Sequence, residues 1–150
     1  MLKIPSKVSA SISLVFAVLI FAALVLLAVF LAPLLSFFME VFSKPEGYFI
    51  PTLVLLYTAL LPAFAADACL WRLLRNIAGG QIFTDSSVAC LRGLSWLCMA
   101  ETVIFFILGF YYVLMFCLAF AAVFMGIILR VVKNVMEEAA AMKAENDYTI

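Results

Sequence analysis

Two long stretches of this chain are almost free of charge, and that limits what they can fold into. Residues 8–39 contain no charged side chain, and residues 93–129 contain one, Glu101. In hydrocarbon the backbone amides of a single segment must be satisfied within it, so such stretches become helices. A helix rises ~1.5 Å per residue and crosses a ~30 Å bilayer core in about 20 residues. Four segments are long enough: about 8–31, 49–72, 87–108 and 112–130. The expected fold class is all-α, a four-transmembrane-helix bundle forming a single domain over residues 1–150.

Composition supports several spans rather than one anchor. The chain is 69% hydrophobic and 12% charged, with a mean hydropathy of +1.27, against about 45–50% and about 25% in a soluble domain. Its net charge is zero, so no global field favours nucleic acid, and no direct nucleic-acid contact is expected. The first apolar run is too long for a signal-peptide core.

Local residues set the expected boundaries. Pro33 should mark the outer end of the first span, with 34–42 as an apolar continuation. Pro51 suits the first turn of the second, and Pro62 should kink its middle by removing the bond to the Thr58 carbonyl. Gly109 leaves a tight turn between spans three and four. Gly79 and Gly80 should close the second helix. Thr84, Asp85 or Ser86 can cap the third, with Phe83 as a hydrophobic staple. These glycines lack the lysine and preceding strand of a phosphate loop.

Orientation follows the basic residues. Lys3, Lys7, Arg72, Arg75, Arg92, Arg130, Lys133 and Lys143 fall on one side, and Lys44 alone on the other. Both termini and the central loop are therefore expected in the cytoplasm. Tyr48, Phe49, Tyr111 and Tyr112 then lie at the outer interface. The fourth helix is expected to extend beyond the membrane as an amphipathic segment over 131–146. Val132, Val135, Met136, Ala139 and Met142 recur there at helical spacing. That stripe can pack on the central loop, lie on the lipid surface or receive a partner.

The acids within the spans are the candidate chemistry. Counted along the helices, Glu101 lies roughly 21 Å from the inner interface, Asp67 about 12 Å and Arg92 about 7–8 Å. Their similar depth suggests that Asp67 and Arg92 form a structural ion pair between spans two and three. No basic residue reaches Glu101, but Thr58 and Pro62 lie at its height. Glu101 then reads either as a neutral group bonded to Thr58 or to a carbonyl freed by Pro62, or as a proton or cation site.

No metal or cofactor site is expected. The chain has no histidine, and Cys69, Cys90, Cys98 and Cys117 lack C-x-x-C spacing; they read as buried thiols. Small-residue pairs, Ala28 with Ala32 and Ala59 with Ala63, can pack helices within one chain or between copies of a homo-oligomer.

The loop and the tail carry a resemblance. Gly80-Gln81-Ile82-Phe83-Thr84, then Val88 and Leu91-Arg92-Gly93-Leu94-Ser95-Trp96, resemble the central stretch of a bacterial family of small four-span membrane proteins of unknown function. Leu129-Arg130, Glu137-Glu138 and the ending Glu145-Asn146-Asp147-Tyr148-Thr149-Ile150 resemble its terminus, with tyrosine in place of the usual leucine at 148. The resemblance implies a multi-pass protein of the bacterial inner membrane, often encoded beside a Cro-like helix-turn-helix regulator. Two roles follow as expectations. The first is a non-enzymatic regulatory component that holds a cytoplasmic partner through its loop and last helix. The second is a small transporter or channel component using Glu101. An enzyme is not expected, because no acid–base pair shares a depth.

Overall fold

The computed structural model describes residues 6–80 and 84–148. Four helices make up the fold: α1 (Ser6–Val41), α2 (Phe49–Ala78), α3 (Asp85–Gly109) and α4 (Leu114–Tyr148). A short 3-10 turn, Glu46–Tyr48, leads into α2. No strand occurs among the described residues. All four helices are long and apolar enough to cross a membrane.

The helices pack in chain order. α1 lies on α2, α2 on α3 and α3 on α4, and no other pair of helices packs to a comparable extent. The bundle is therefore an open row, with α2 and α3 inside it. The α1–α2 and α3–α4 connections share one end, the hairpin end. The 79–84 connection and the last turns of α4 mark the opposite end, the loop end. At the hairpin end Lys44 Nζ donates to the Tyr111 carbonyl (3.2 Å) and lies 5.3 Å from the centre of the Tyr112 ring. Tyr48 meets Tyr111 edge to face, so both connections are tied together.

α1 corrects one expectation. Pro33 does not end it; the helix continues to Val41. In hydrocarbon, leaving the helix at Pro33 would strand every following amide, which outweighs the one hydrogen bond that proline removes. Ser36 Oγ donates to the Pro33 carbonyl (2.9 Å). The true end is at Ser43, in the left-handed region at φ 49°. There the Lys44 amide reaches the Met39 carbonyl and the Ser43 amide reaches that of Glu40, the two bonds of a Schellman cap. From residue 11 onward α1 buries only a narrow seam (Ala17, Leu31, Leu35 and Met39), so most of that stretch faces outward. The seam includes Tyr57 Oη donating to the Ala28 carbonyl (3.2 Å) and an edge contact between Phe21 and Phe64.

The α2–α3 connection folds as its residues suggest. Gly79 caps α2 and Gly80 takes φ +77°, where a side chain would be strained. Among the three candidates, Thr84 is the residue that caps α3, its Oγ1 accepting from the Ser87 amide (3.4 Å). Phe83 lies outside the described residues. Between α3 and α4 the chain turns at 110–113, so α4 begins at Leu114 rather than Tyr112. A Cβ on Gly109 would sit 2.6 Å from the Phe116 ring, so only glycine allows this turn.

Candidate functional site

α3 and α4 meet closely because small residues face each other. Ser95 Oγ donates to the Gly126 carbonyl (2.9 Å) in a buried contact. A Cβ at Gly126 would lie 3.3 Å from Cys98 Cβ, so the glycine sets the separation of the helices. This contact fixes the register. Trp96 falls beside Arg130, with 5.2 Å from guanidinium to ring. Asp85 and Ala89 share a groove with Ala140 and Ala141.

Residues 131–141 therefore lie alongside the first turns of α3 instead of projecting beyond the bundle. A ~30 Å core, if entered at Leu114, would end near residue 134, counting ~1.5 Å per residue. Only the turns after about 141 overhang α3.

The apolar stripe of α4 divides accordingly. Met136 packs against the core formed by Leu73, Cys90, Leu91 and Leu94. Val132, Val135 and Met142 remain exposed. The half-buried positions are Leu129, Lys133, Met136, Ala139 and Ala140, whose spacing of three and four residues is that of one helix face.

Arg92 does not pair with Asp67. Its Nη2 reaches Glu137 Oε1 at 3.5 Å, and Lys133 Nζ binds Glu137 Oε2 at 2.6 Å. Depth along a helix gives height but not direction. In the α2–α3 seam Cys69 faces Gly93, 3.6 Å from the position its Cβ would take. The neighbouring Arg92 is thereby turned toward α4. The hydrogen bond from Lys133, then the charges of Lys133 and Arg92, hold the Glu137 carboxyl below its ordinary pKa of 4.5.

The two acids within the apolar helices each keep an unsatisfied oxygen among the described residues. Asp67 Oδ1 and Glu101 Oε2 are buried and accept no hydrogen bond from a described residue. Thr58 does not reach Glu101; it is exposed and donates to the Val54 carbonyl on its own helix (2.8 Å). Opposite α3, the register from Cys69 and Gly93 places Leu61 and Pro62 near the height of Glu101. Asp67 then falls near the level of Ser95, ~9 Å lower.

One connecting residue escaped the sequence reading. Asn76 Nδ2 donates to Ser86 Oγ (3.2 Å) and approaches Ser87 Oγ (3.5 Å), binding the end of α2 to the start of α3 across the loop. An asparagine in the last turn of one helix, followed by a serine pair at the start of the next, is the pattern that could have revealed it.

Two recesses flank Arg92 at the loop end. One, of about 470 Å³, is lined by Asp85, Val88, Ala89, Arg92, Glu137, Ala140 and Ala141. The other, of about 290 Å³, is lined by Arg92, Ser95, Trp96, Arg130, Lys133 and Asn134. Among the described residues no three His, Cys, Asp or Glu side chains gather as metal ligands.

These features define a class of protein: a small all-helical chain of four membrane-length helices with a polar, recessed loop end. The chain belongs to the family described as protein of unknown function (DUF2975), whose match covers residues 38–150. Comparison with curated proteins and with solved structures gives no match. The family match takes in α2, α3 and α4 whole, and only the last turn of α1.

Proposed function

We propose that this protein is a non-enzymatic interaction component of the bacterial inner membrane, with its termini and loop end in the cytoplasm, where it holds a soluble partner. The observation that carries this reading is the groove between α3 and the end of α4. It is lined by the small or apolar Val88, Ala89, Ala140 and Ala141 and by the charged Asp85, Arg92 and Glu137. Small residues allow close approach of a partner backbone, and charges of both signs select its register. The exposed Met142 continues the apolar surface beyond α3. Val132 and Val135 fall near the membrane boundary by depth, so the partner surface of the reading is the groove and Met142, not the whole stripe.

A small helix-turn-helix regulator encoded beside the gene is the proposed partner. The test is a two-hybrid or co-purification assay with that regulator. Ala140→Trp, which fills the groove, should abolish binding, and Val135→Ser should leave it intact. Binding that survives Ala140→Trp, or the lack of any such regulator beside the gene, removes the reading.

A second reading rests on the unpartnered Glu101 and Asp67 oxygens. A buried and a half-buried carboxyl on neighbouring helices, ~9 Å apart in height, suit a short proton or cation path. Proton flux into vesicles that Glu101→Gln leaves unchanged would exclude it.

A further inference from the structure

The recess between α3 and α4 has the composition of an anion site at the depth of a lipid headgroup. Arg92, Arg130 and Lys133 converge on it, Asn134 adds an amide, and Trp96 forms one wall. Glu137 is bonded to two of these cations, holding Lys133 at 2.6 Å and Arg92 at 3.5 Å. Three cations against one carboxylate leave a local positive excess in a chain whose formal net charge is zero. Ser95 lines the recess, but its hydroxyl is committed to the Gly126 carbonyl.

Position separates this cluster from an ordinary solvated face. Arg130 is the first charged residue after the apolar run of α4, and Arg92 is the first met on α3 going from Glu101 toward the loop end. Both therefore stand within about one turn of the boundary counted above, where their long side chains can reach the headgroups. Trp96 is 63% exposed beside them, and tryptophan favours that boundary. Arg130 lies over its ring at 5.2 Å, which orients the guanidinium along the recess wall. Basic recesses between transmembrane helices at this depth hold the phosphates of acidic lipids.

We infer that the α3–α4 recess binds a phosphate group, and that its source is the headgroup of an anionic phospholipid in the surrounding leaflet. This site is independent of the partner reading above: the two recesses share Arg92, but Arg130, Lys133 and Trp96 line this one and not the groove.

Trp96 provides the probe. With Trp71→Phe as background, it becomes the one tryptophan of the chain. The protein is placed in phosphatidylcholine vesicles containing a minor fraction of either brominated phosphatidylglycerol or brominated phosphatidylcholine. Quenching by the anionic lipid should exceed quenching by the neutral one at equal mole fraction. Arg130→Gln and Lys133→Gln should each reduce that preference by about fivefold, the ratio expected for one basic residue at an anionic surface.

Glu137→Gln should raise the preference, since it releases Lys133 and removes the opposing charge. Lys143→Gln removes the same charge outside the recess and should change nothing. Millimolar inorganic phosphate should leave the quenching unchanged; abolition of the preference by it would assign the recess to soluble phosphate and overturn the lipid source. Equal quenching by the two lipids overturns the site itself. So does an equal loss in Lys143→Gln, or no change in Glu137→Gln, a variant that keeps the side-chain volume of the folded protein.

Discussion

Ser43 illustrates how single residues define the ends of this fold. It closes α1 in the left-handed region at φ 49°, where the Schellman bonds to Glu40 and Met39 require it. A side chain there costs about 1–2 kcal/mol of local strain that glycine does not bear. Ser43→Gly should therefore stabilise the protein by about 0.5–1 kcal/mol after the greater freedom of glycine in the unfolded chain is subtracted. Unfolding in mixed micelles of rising SDS content measures this; a lower midpoint would show that Ser43 has a compensating role.

Glu137 makes a second residue-scale prediction. Its carboxyl is held below the ordinary value of 4.5 by Lys133, with Arg92 contributing. A carboxylate with a lowered pKa in the folded state contributes stability at pH above its unfolded value and loses it as the pH falls through the lowered one. The pairing of α3 with α4 should thus be constant near neutrality and weaken only in acid below the ordinary carboxylate range. The side chains are exposed, 59% for Arg92 and 51% for Glu137, so the effect should be small and should fade with salt. Glu137→Gln removes the acid step; a step that persists in that variant belongs to another group.

At the scale of elements, hydropathy and helix length made all four helices legible, because hydrocarbon allows a lone chain segment few other structures. For the same reason Pro33 does not end α1: the helix-breaking preference of proline holds in water, and the backbone of a span has no water to bond. Glycine and threonine at 79, 80 and 84 were readable because caps are local. Side-chain pairing was not. The Asp67–Arg92 proposal used height alone, and a helix turns ~100° with every residue, so the partner of Arg92 depended on the α3–α4 register. That register is held by Ser95 and Gly126, neither of which differs visibly in sequence from other small residues in a span.

Gly126→Leu tests the point. Its Cβ alone would stand 3.3 Å from Cys98 Cβ and 3.4 Å from the Ser95 carbonyl. The added branch should force α3 and α4 apart and destabilise by about 1–3 kcal/mol through overpacking. Loss of the Arg130–Trp96 contact would follow, seen as a change in Trp96 emission in the Trp71→Phe background. Gly47→Leu, where nothing lies within 4 Å, is the control that should leave both unchanged.

For the molecule as a whole, the open row matters more than any one helix. α1 packs chiefly on α2, and the family match begins at residue 38, just before α1 ends. Within one chain, then, α1 and α4 are the two outer helices, each presenting broad apolar surface to lipid or to another copy. The small-residue pairs read from the sequence do not decide between these. Ala59 is buried, and Ala28, Ala32 and Ala63 are half-buried within the chain.

Crosslinking can decide. Cys117 lies exposed on α4. With the other three cysteines replaced, new cysteines at Phe16 and Phe30, both exposed on α1, should give no intramolecular product with Cys117 under a short thiol reagent. Cysteines replacing Phe21 and Phe64, whose rings meet at 5.7 Å, should bridge α1 to α2 readily. An intramolecular α1–α4 product would show that the row closes into a ring of four. A product linking two chains through the same positions would show instead that a second copy covers the open edge, making α1 the subunit boundary of a homo-oligomer built on the α2–α4 unit.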